Sequence, residues 1–94
     1  MAVMVRIPTP LRKFTGGRAD VQIDGASVRE VFDNMEVSHK GVREKVIDET
    51  GSIRRFINVF VNGEDVRQLQ GPDTAVKAGD ELSIVPAIAG GVGV

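Results

Sequence analysis

The sequence predicts a small α+β domain, a mixed sheet of about five strands packed on one main helix. Three observations carry that expectation. Five short segments, 2–7, 20–24, 56–61, 64–66 and 81–86, have strand character and are bounded by turn signals. One segment, 27–35, has the apolar spacing of an amphipathic helix. The chain has 94 residues, room for one domain with a thin core that buries roughly 60–65% of the surface its unfolded chain exposes.

In chain order, Val3, Val5 and Ile7 share one face of the first strand, and Pro8-Thr9-Pro10 ends it because proline cannot donate to a ladder. Leu11–Phe14 predicts one irregular turn and Thr15-Gly16-Gly17 a loop. A phosphate-binding loop would need a lysine followed by serine or threonine, which is missing here. Asp20-Val21-Gln22-Ile23-Asp24 alternates cleanly and should pair with the first strand as a hairpin. Ser27 and Glu30 have the capping-box spacing, and Val28, Val31, Phe32 and Met35 form one apolar stripe behind them. Val42, Val46 and Ile47 predict the inner face of a short second helix, with His39 a solvated residue before it. Phe56–Val61 is a strong strand, Asn62-Gly63 suits a type I′ hairpin turn, and Glu64-Asp65-Val66 returns. Glu81–Pro86 is the last strand, expected to lie parallel to the first in the sheet centre. Residues 1–87 are thus the domain and 88–94 a flexible tail carrying Gly90-Gly91 and a three-residue extension.

Composition excludes several chemistries. With 41% apolar and 27% charged residues the chain should fold as a globule. No cysteine means no disulfide, thiolate metal site or cysteine nucleophile, and one histidine cannot build a multi-histidine metal site. A formal charge of −1 gives no electrostatic case for nucleic acid or a membrane surface. Met1–Val5 is cut short by Arg6, and no stretch approaches the roughly 20 apolar residues of a membrane span, so a cytoplasmic protein is expected. No acid, base or nucleophile stands at a recognisable spacing from a partner group, and Glu64-Asp65 reads as turn chemistry. No catalytic residue and no metal ligand is assigned.

The end of the chain is different. Pro-Ala-Ile-Ala-Gly-Gly directly after a core strand has no bulky polar side chain and great backbone freedom. It suits either a frayed terminus or a thin rod that another protein threads through a narrow channel, with Ala89 and Gly90 leading Gly91. The strand before it adds a surface. If Ile57, Val59 and Val61 face the helix, then Phe56, Asn58 and Phe60 face the other way, and Val85 lies outside while Leu82 and Ile84 face the core. Phe60 and Val85 should form an exposed apolar patch beside the tail, with Phe56 and Arg55 near it, and Phe60→Asp should weaken partner binding while leaving the fold intact. Arg54, Arg55 and Arg67 gather near one edge, facing either an acidic partner or solvent.

A co-linear set of segments adds a resemblance: Ile7-Pro8-Thr9, Leu11-Arg12, Thr15-Gly16-Gly17, 55–62, Glu64-Asp65-Val66-Arg67 and Ile84–Gly91. In these the chain resembles the ubiquitin-like sulfur carriers of the ThiS/MoaD type. That β-grasp group includes the thiamine carrier, the small subunit of molybdopterin synthase and, with the strongest likeness here, carriers used in cysteine synthesis. The resemblance implies a carrier rather than an enzyme, with no bound cofactor. An E1-like adenylating partner would use ATP to activate the carboxylate of Gly91, sulfur would replace the adenylate, and the thiocarboxylate would serve an acceptor enzyme such as a cysteine synthase, for cysteine or homocysteine. Most such carriers stop at the second glycine. Here Val92-Gly93-Val94 follows, so the resemblance implies a precursor cut at the Gly91–Val92 bond by a zinc metalloprotease of the JAMM type. Other readings stay open: the small subunit of molybdopterin synthase, a ubiquitin-like modifier of lysines, or a non-covalent interaction domain.

Overall fold

The structure is a computed structural model, and it describes residues 2–86. The first strand, β1 (Ala2–Arg6), turns Val3 and Val5 fully inward, and Ile7 continues the same face. Proline at Pro8 and Pro10 stops the ladder. The chain then winds into a 3-10 helix, Thr9–Phe14, longer than the single turn expected over Leu11–Phe14. Thr15 closes it: its amide donates to the Arg12 carbonyl at 3.0 Å, and its buried hydroxyl lies within reach of the Arg12 and Arg18 carbonyls. β2 (Asp20–Asp24) returns antiparallel to β1, with Val21 and Ile23 buried and the three polar residues outside.

Helix α1 (Val28–Ser38) starts where the capping residues place it. The Ser27 hydroxyl accepts from the Glu30 amide at 3.1 Å. Glu30 reaches back one residue further than a capping box requires, accepting from the Ala26 amide at 2.6 Å. Val28, Val31, Phe32 and Met35 are fully buried as one stripe. Gly25 sits against this helix so closely that a Cβ there would lie 2.6 Å from a Val31 methyl and 2.9 Å from the Val31 nitrogen. α1 ends at His39, half-buried, whose amide donates to Met35. Gly41, with φ +107°, then begins the one-turn helix α2 (Val42–Val46). A side chain at Gly41 would meet the Phe14 ring at 2.7 Å, so conformation and space both require glycine. Val42, Val46 and Ile47 are buried as the spacing predicts, and Ile47 bridges to Ile53.

Strand β3 (Ile57–Val61) follows, and Asn62 (φ 51°) and Gly63 (φ 89°) make the hairpin turn into β4 (Glu64–Asp65). β4 is one residue shorter than expected, because Asp65 caps a 3-10 turn, Val66–Gln68, by accepting from the Arg67 amide at 2.9 Å. A second 3-10 turn, Gly71–Asp73, leads towards β5 (Glu81–Pro86). The sheet order is β2-β1-β5-β3-β4. β1 and β5 are parallel central neighbours, and both outer pairs are antiparallel. α1 and α2 cover one face, and β5 therefore delivers the chain from the middle of the sheet.

The start of β5 is tied down by Asn62 and Asp80. The Asn62 carbonyl oxygen accepts from the Glu81 amide at 2.9 Å, and its amide donates to Asp80 Oδ1 at 3.1 Å. Asp80 Oδ2 also accepts from the Lys77 amide at 2.9 Å. The Asn62 bond first, and then the Lys77 amide, hold the Asp80 carboxyl below its ordinary 3.8. Asp48 is lowered in the same direction, first by the Thr50 hydroxyl at 2.6 Å and also by the Ser52 and Thr50 amides. A carboxyl with a depressed folded pKa adds stability above its unfolded value and loses it as pH falls through the folded one. Melting temperature is therefore expected to drop as pH falls below about 3.8, and Asp80→Asn should flatten that acid limb while lowering the neutral-pH plateau slightly. An unchanged acid limb in thermal melts of Asp80→Asn would remove this carboxyl from the account.

Candidate functional site

The site is built around the point where β5 leaves the sheet. Pro86, its last residue, is paired with Ile57, and Val85 with Asn58. Ala89, Gly90, Gly91 and Val92, the residues expected to thread, react and be cut, lie outside the described residues, as does the whole of the tail assigned to 88–94.

Register on the partner side follows the expected alternation. Ile57, Val59 and Val61 are buried, as are Leu82 and Ile84. Asn58, Phe60, Ser83 and Val85 therefore share the outer face. Val85 is 42% exposed and Phe56 56% exposed. Phe60 is half-buried, not open as expected, and stands opposite Ser83 on one side and Asp65 on the other. Phe56 precedes the strand because the Ile57 amide turns back to the Arg54 carbonyl at 3.0 Å, which places Phe56 within a turn.

The arginines do gather here. Arg67 donates to Asn58 Oδ1 at 2.8 Å and to the Arg54 carbonyl at 2.6 Å, so one guanidinium joins the outer face of β3 to the segment before it. Arg54 donates to the Glu44 carbonyl at 2.7 Å. Arg55 lies over the Phe56 ring, 5.9 Å from its centroid. An exposed valine, an exposed phenylalanine and the guanidinium groups of Arg55 and Arg67 thus lie on or next to the residues paired with the end of β5, while the Arg54 guanidinium turns to α2. The outer face also holds a pair that sequence reasoning missed, Arg6 with Glu81 at 2.9 Å. These residues come together only through the parallel register of β1 and β5, which leaves no local signal in the chain.

Within the described residues, the geometry at the end of β5 offers a partly open surface. Among the described residues no three His, Cys, Asp or Glu side chains are grouped to hold a metal. The buried polar side chains Thr15 and Thr74 are both hydrogen-bonded to main chain. No described helix is long and apolar enough to cross a membrane.

The apolar patch has a cleaner probe than Phe60→Asp, which would set a carboxylate opposite Asp65 on the adjacent strand. Val85→Asp faces Asn58 and solvent. It is expected to leave the melting temperature within a few degrees and to weaken binding to a protein partner that docks on this face about tenfold. Unchanged affinity in a titration would take Val85 out of the interface.

A five-stranded mixed sheet holding one long helix, with a central last strand whose outer face is open, apolar and flanked by basic residues, defines a ubiquitin-like β-grasp protein. The chain belongs to the ThiS family, whose model matches residues 5–91. It is 42% identical over 93 residues to the sulfur carrier protein CysO of Mycobacterium tuberculosis, covering 97% of this chain and all of that one. A chain of the Amycolatopsis orientalis BexX/CysO complex superposes with a TM-score of 0.90 at 49% identity, covering 96% of this chain and 100% of the other. Small archaeal modifier protein 1 of Haloferax volcanii superposes with a TM-score of 0.78 at 26% identity, covering 97% and 100%.

Proposed function

We propose that this chain is a sulfur carrier whose Gly91, once freed from Val92, is adenylated and converted to a thiocarboxylate that supplies sulfur for cysteine or homocysteine synthesis. It is a protein substrate acted on by enzymes and not itself a catalyst. The observation that carries the reading is the family match itself: it runs through β5 and stops at Gly91, the second glycine of the pair.

The chemistry follows from what a free glycine carboxylate lacks. It is a poor acyl donor. In the activating partner it attacks the α-phosphorus of ATP, pyrophosphate leaves, and the acyl adenylate forms. A sulfide equivalent then attacks the acyl carbon and AMP leaves with the bonding pair. The product is a soft nucleophile fixed to a protein handle, so sulfur reaches its acceptor without release of free sulfide. While Val92 is attached, Gly91 is an amide and has no carboxylate oxygen for the first step. A protease, the metalloprotease of JAMM type in the resemblance above, must first cut between Gly91 and Val92. ATP-dependent activation of this kind accords with a cytoplasmic carrier. The BexX/CysO complex supports the existence of a protein partner for such a carrier.

The likeness to an archaeal modifier favours one second reading, a modifier joined to target lysines. Intact mass separates the two. A carrier incubated with ATP, an activating enzyme and a sulfur source gains the difference between one sulfur and one oxygen. A modifier appears instead in larger conjugates that resist reducing agents. A chain that does neither after trimming to Gly91 would overturn both.

A further inference from the structure

We propose that Asn62-Gly63 is a site of spontaneous covalent modification, cyclisation to a succinimide followed by opening to aspartate or isoaspartate, and that Asp80 and the first amide of β5 hold it shut in the folded chain. This rests on the hairpin turn and the start of β5 and is independent of the chemistry of the tail.

The chain has three asparagines, and only Asn62 precedes a glycine; Asn34 precedes Met35 and Asn58 precedes Val59. Glycine sets no side chain between the following nitrogen and the asparagine carboxamide. Space around Gly63 is open as well: a Cβ there would meet nothing within 4 Å. Both turn residues are exposed. The Gly63 amide takes no part in the ladder, which pairs Val61 with Glu64 around it.

The nucleophile is therefore open, and the electrophile is held. Asn62 lies one residue beyond the last β3–β5 pair, Val61 with Leu82. Its main-chain amide donates to the Glu81 carbonyl at 2.8 Å. Its side-chain oxygen, in place of a main-chain carbonyl, accepts from the Glu81 amide at 2.9 Å. Its side-chain nitrogen donates to Asp80 Oδ1 at 3.1 Å. Both polar ends of the carboxamide are thus fixed to the start of β5. Ring closure needs Cγ to turn onto the Gly63 nitrogen, which breaks both bonds, one of them to a charged acceptor. Asp80 is itself fixed: Oδ2 accepts from the Lys77 amide at 2.9 Å, and its carbonyl accepts from the Met4 amide of β1 at 3.0 Å.

Water is the one co-reactant. The Gly63 nitrogen bonds to Cγ, its proton passes through solvent to the carboxamide nitrogen, and ammonia leaves. Water then opens the ring at one of its two carbonyls. Attack at Cγ restores the main chain and leaves aspartate. Attack at the Asn62 main-chain carbon breaks its bond to Gly63 and leaves isoaspartate, with the side-chain methylene now in the backbone. Aspartate sets a carboxylate oxygen where the donor to Asp80 stood, two like charges at hydrogen-bond distance. Isoaspartate lengthens a two-residue turn whose twist matches its strands. Either product loosens the start of β5, so the bonds that anchor the strand also protect the turn that would release it.

The test is mass mapping of the full chain during long incubation at neutral pH, beside a blocked peptide of residues 59–66 that carries the turn without the fold. Conversion is read as exchange of an amino for a hydroxyl group in the fragment holding Asn62. The peptide is expected to convert fastest. Asp80→Ala, its folding checked by circular dichroism, should raise the rate in the chain about tenfold, the worth of one hydrogen bond to a charged group. Phe32→Leu loosens the core, keeps both bonds and should match the unchanged chain. The effect of the product is read separately from melting temperature. Asn62→Asp should lower it by several degrees. Asn62→Asp with Asp80→Asn exchanges donor and acceptor, leaves an oxygen for the Lys77 amide and should restore it. Conversion as fast in the folded chain as in the peptide, an Asp80→Ala rate equal to that of the unchanged chain or of Phe32→Leu, or a double variant no more stable than Asn62→Asp would each overturn the proposal. None of these outcomes depends on thiocarboxylate formation, so failure here leaves the carrier reading standing.

Discussion

A chain ending at Gly91 is expected to take up sulfur in the presence of ATP, an activating enzyme and a sulfide source, whereas the chain continuing to Val94 is expected to keep its mass. The two differ in one functional group. In the trimmed chain the Gly91 carbonyl carbon bears a carboxylate oxygen that can attack phosphorus. In the longer chain it bears the nitrogen of Val92. The longer chain still has a carboxylate on Val94, but valine carries a branched β-carbon where glycine has none. On the proposed reading, a partner channel shaped around Gly90-Gly91 would exclude that branch. Gly91→Ala in the trimmed chain separates shape from charge, since the carboxylate stays and one methyl is added. Its adenylation is expected to slow on the order of 100-fold, the penalty of a reacting group displaced by about an ångström. Pyrophosphate release measured on the three chains checks both steps. Adenylation of the uncut chain at Val94 would sink the precursor requirement, and full activity of Gly91→Ala would sink the threading argument while leaving the chemistry intact.

Much of this arrangement is legible in the chain because it rests on local patterns. Ser27, Glu30 and the Val28, Val31, Phe32, Met35 spacing mark α1, since a helix start and its buried face are decided within a few turns. Alternation in 57–61 and 82–84 decides which side chains face the helix. It does not decide how much the neighbours cover the rest, and so Phe60 is half-buried while Val85 is open. Phe56 leaves the strand because of a turn closed onto the Arg54 carbonyl, a bond that β-propensity does not report. The Arg6–Glu81 pair and the Arg67 link to Asn58 arise from contacts between strands and turns brought together by the whole fold. The Gly90-Gly91 pair lies outside the described residues, and its composition alone suits a frayed terminus as well as a threaded rod.

Phe32→Ala is expected to cost about 3–5 kcal/mol, the largest effect of any single core truncation in this domain. Phe32 is fully buried and stands first among the fully buried side chains by volume. Around it the core is mostly valine and isoleucine, short branched residues held by the sheet, which cannot swing in to fill a benzyl-sized hole. A domain of this length has only about 5–14 kcal/mol in total. The variant should therefore melt well over ten degrees lower, about 4–8 degrees for each kcal/mol. Phe32→Leu keeps most of the volume and is expected to cost less than half as much. Urea unfolding followed by far-ultraviolet circular dichroism gives both values, and equal midpoints for the two variants would show that cavity volume is not what matters. The consequence for the carrier lies in where the loss acts. Phe32 is a fully buried helix residue and takes no part in the outer face of β5, so trimmed Phe32→Ala should take up sulfur normally in the fraction that is folded. Its yield should follow the unfolding curve as temperature rises, whereas that of Gly91→Ala should stay low at every temperature. A temperature series on the two variants thus distinguishes loss of the handle from loss of the reacting end.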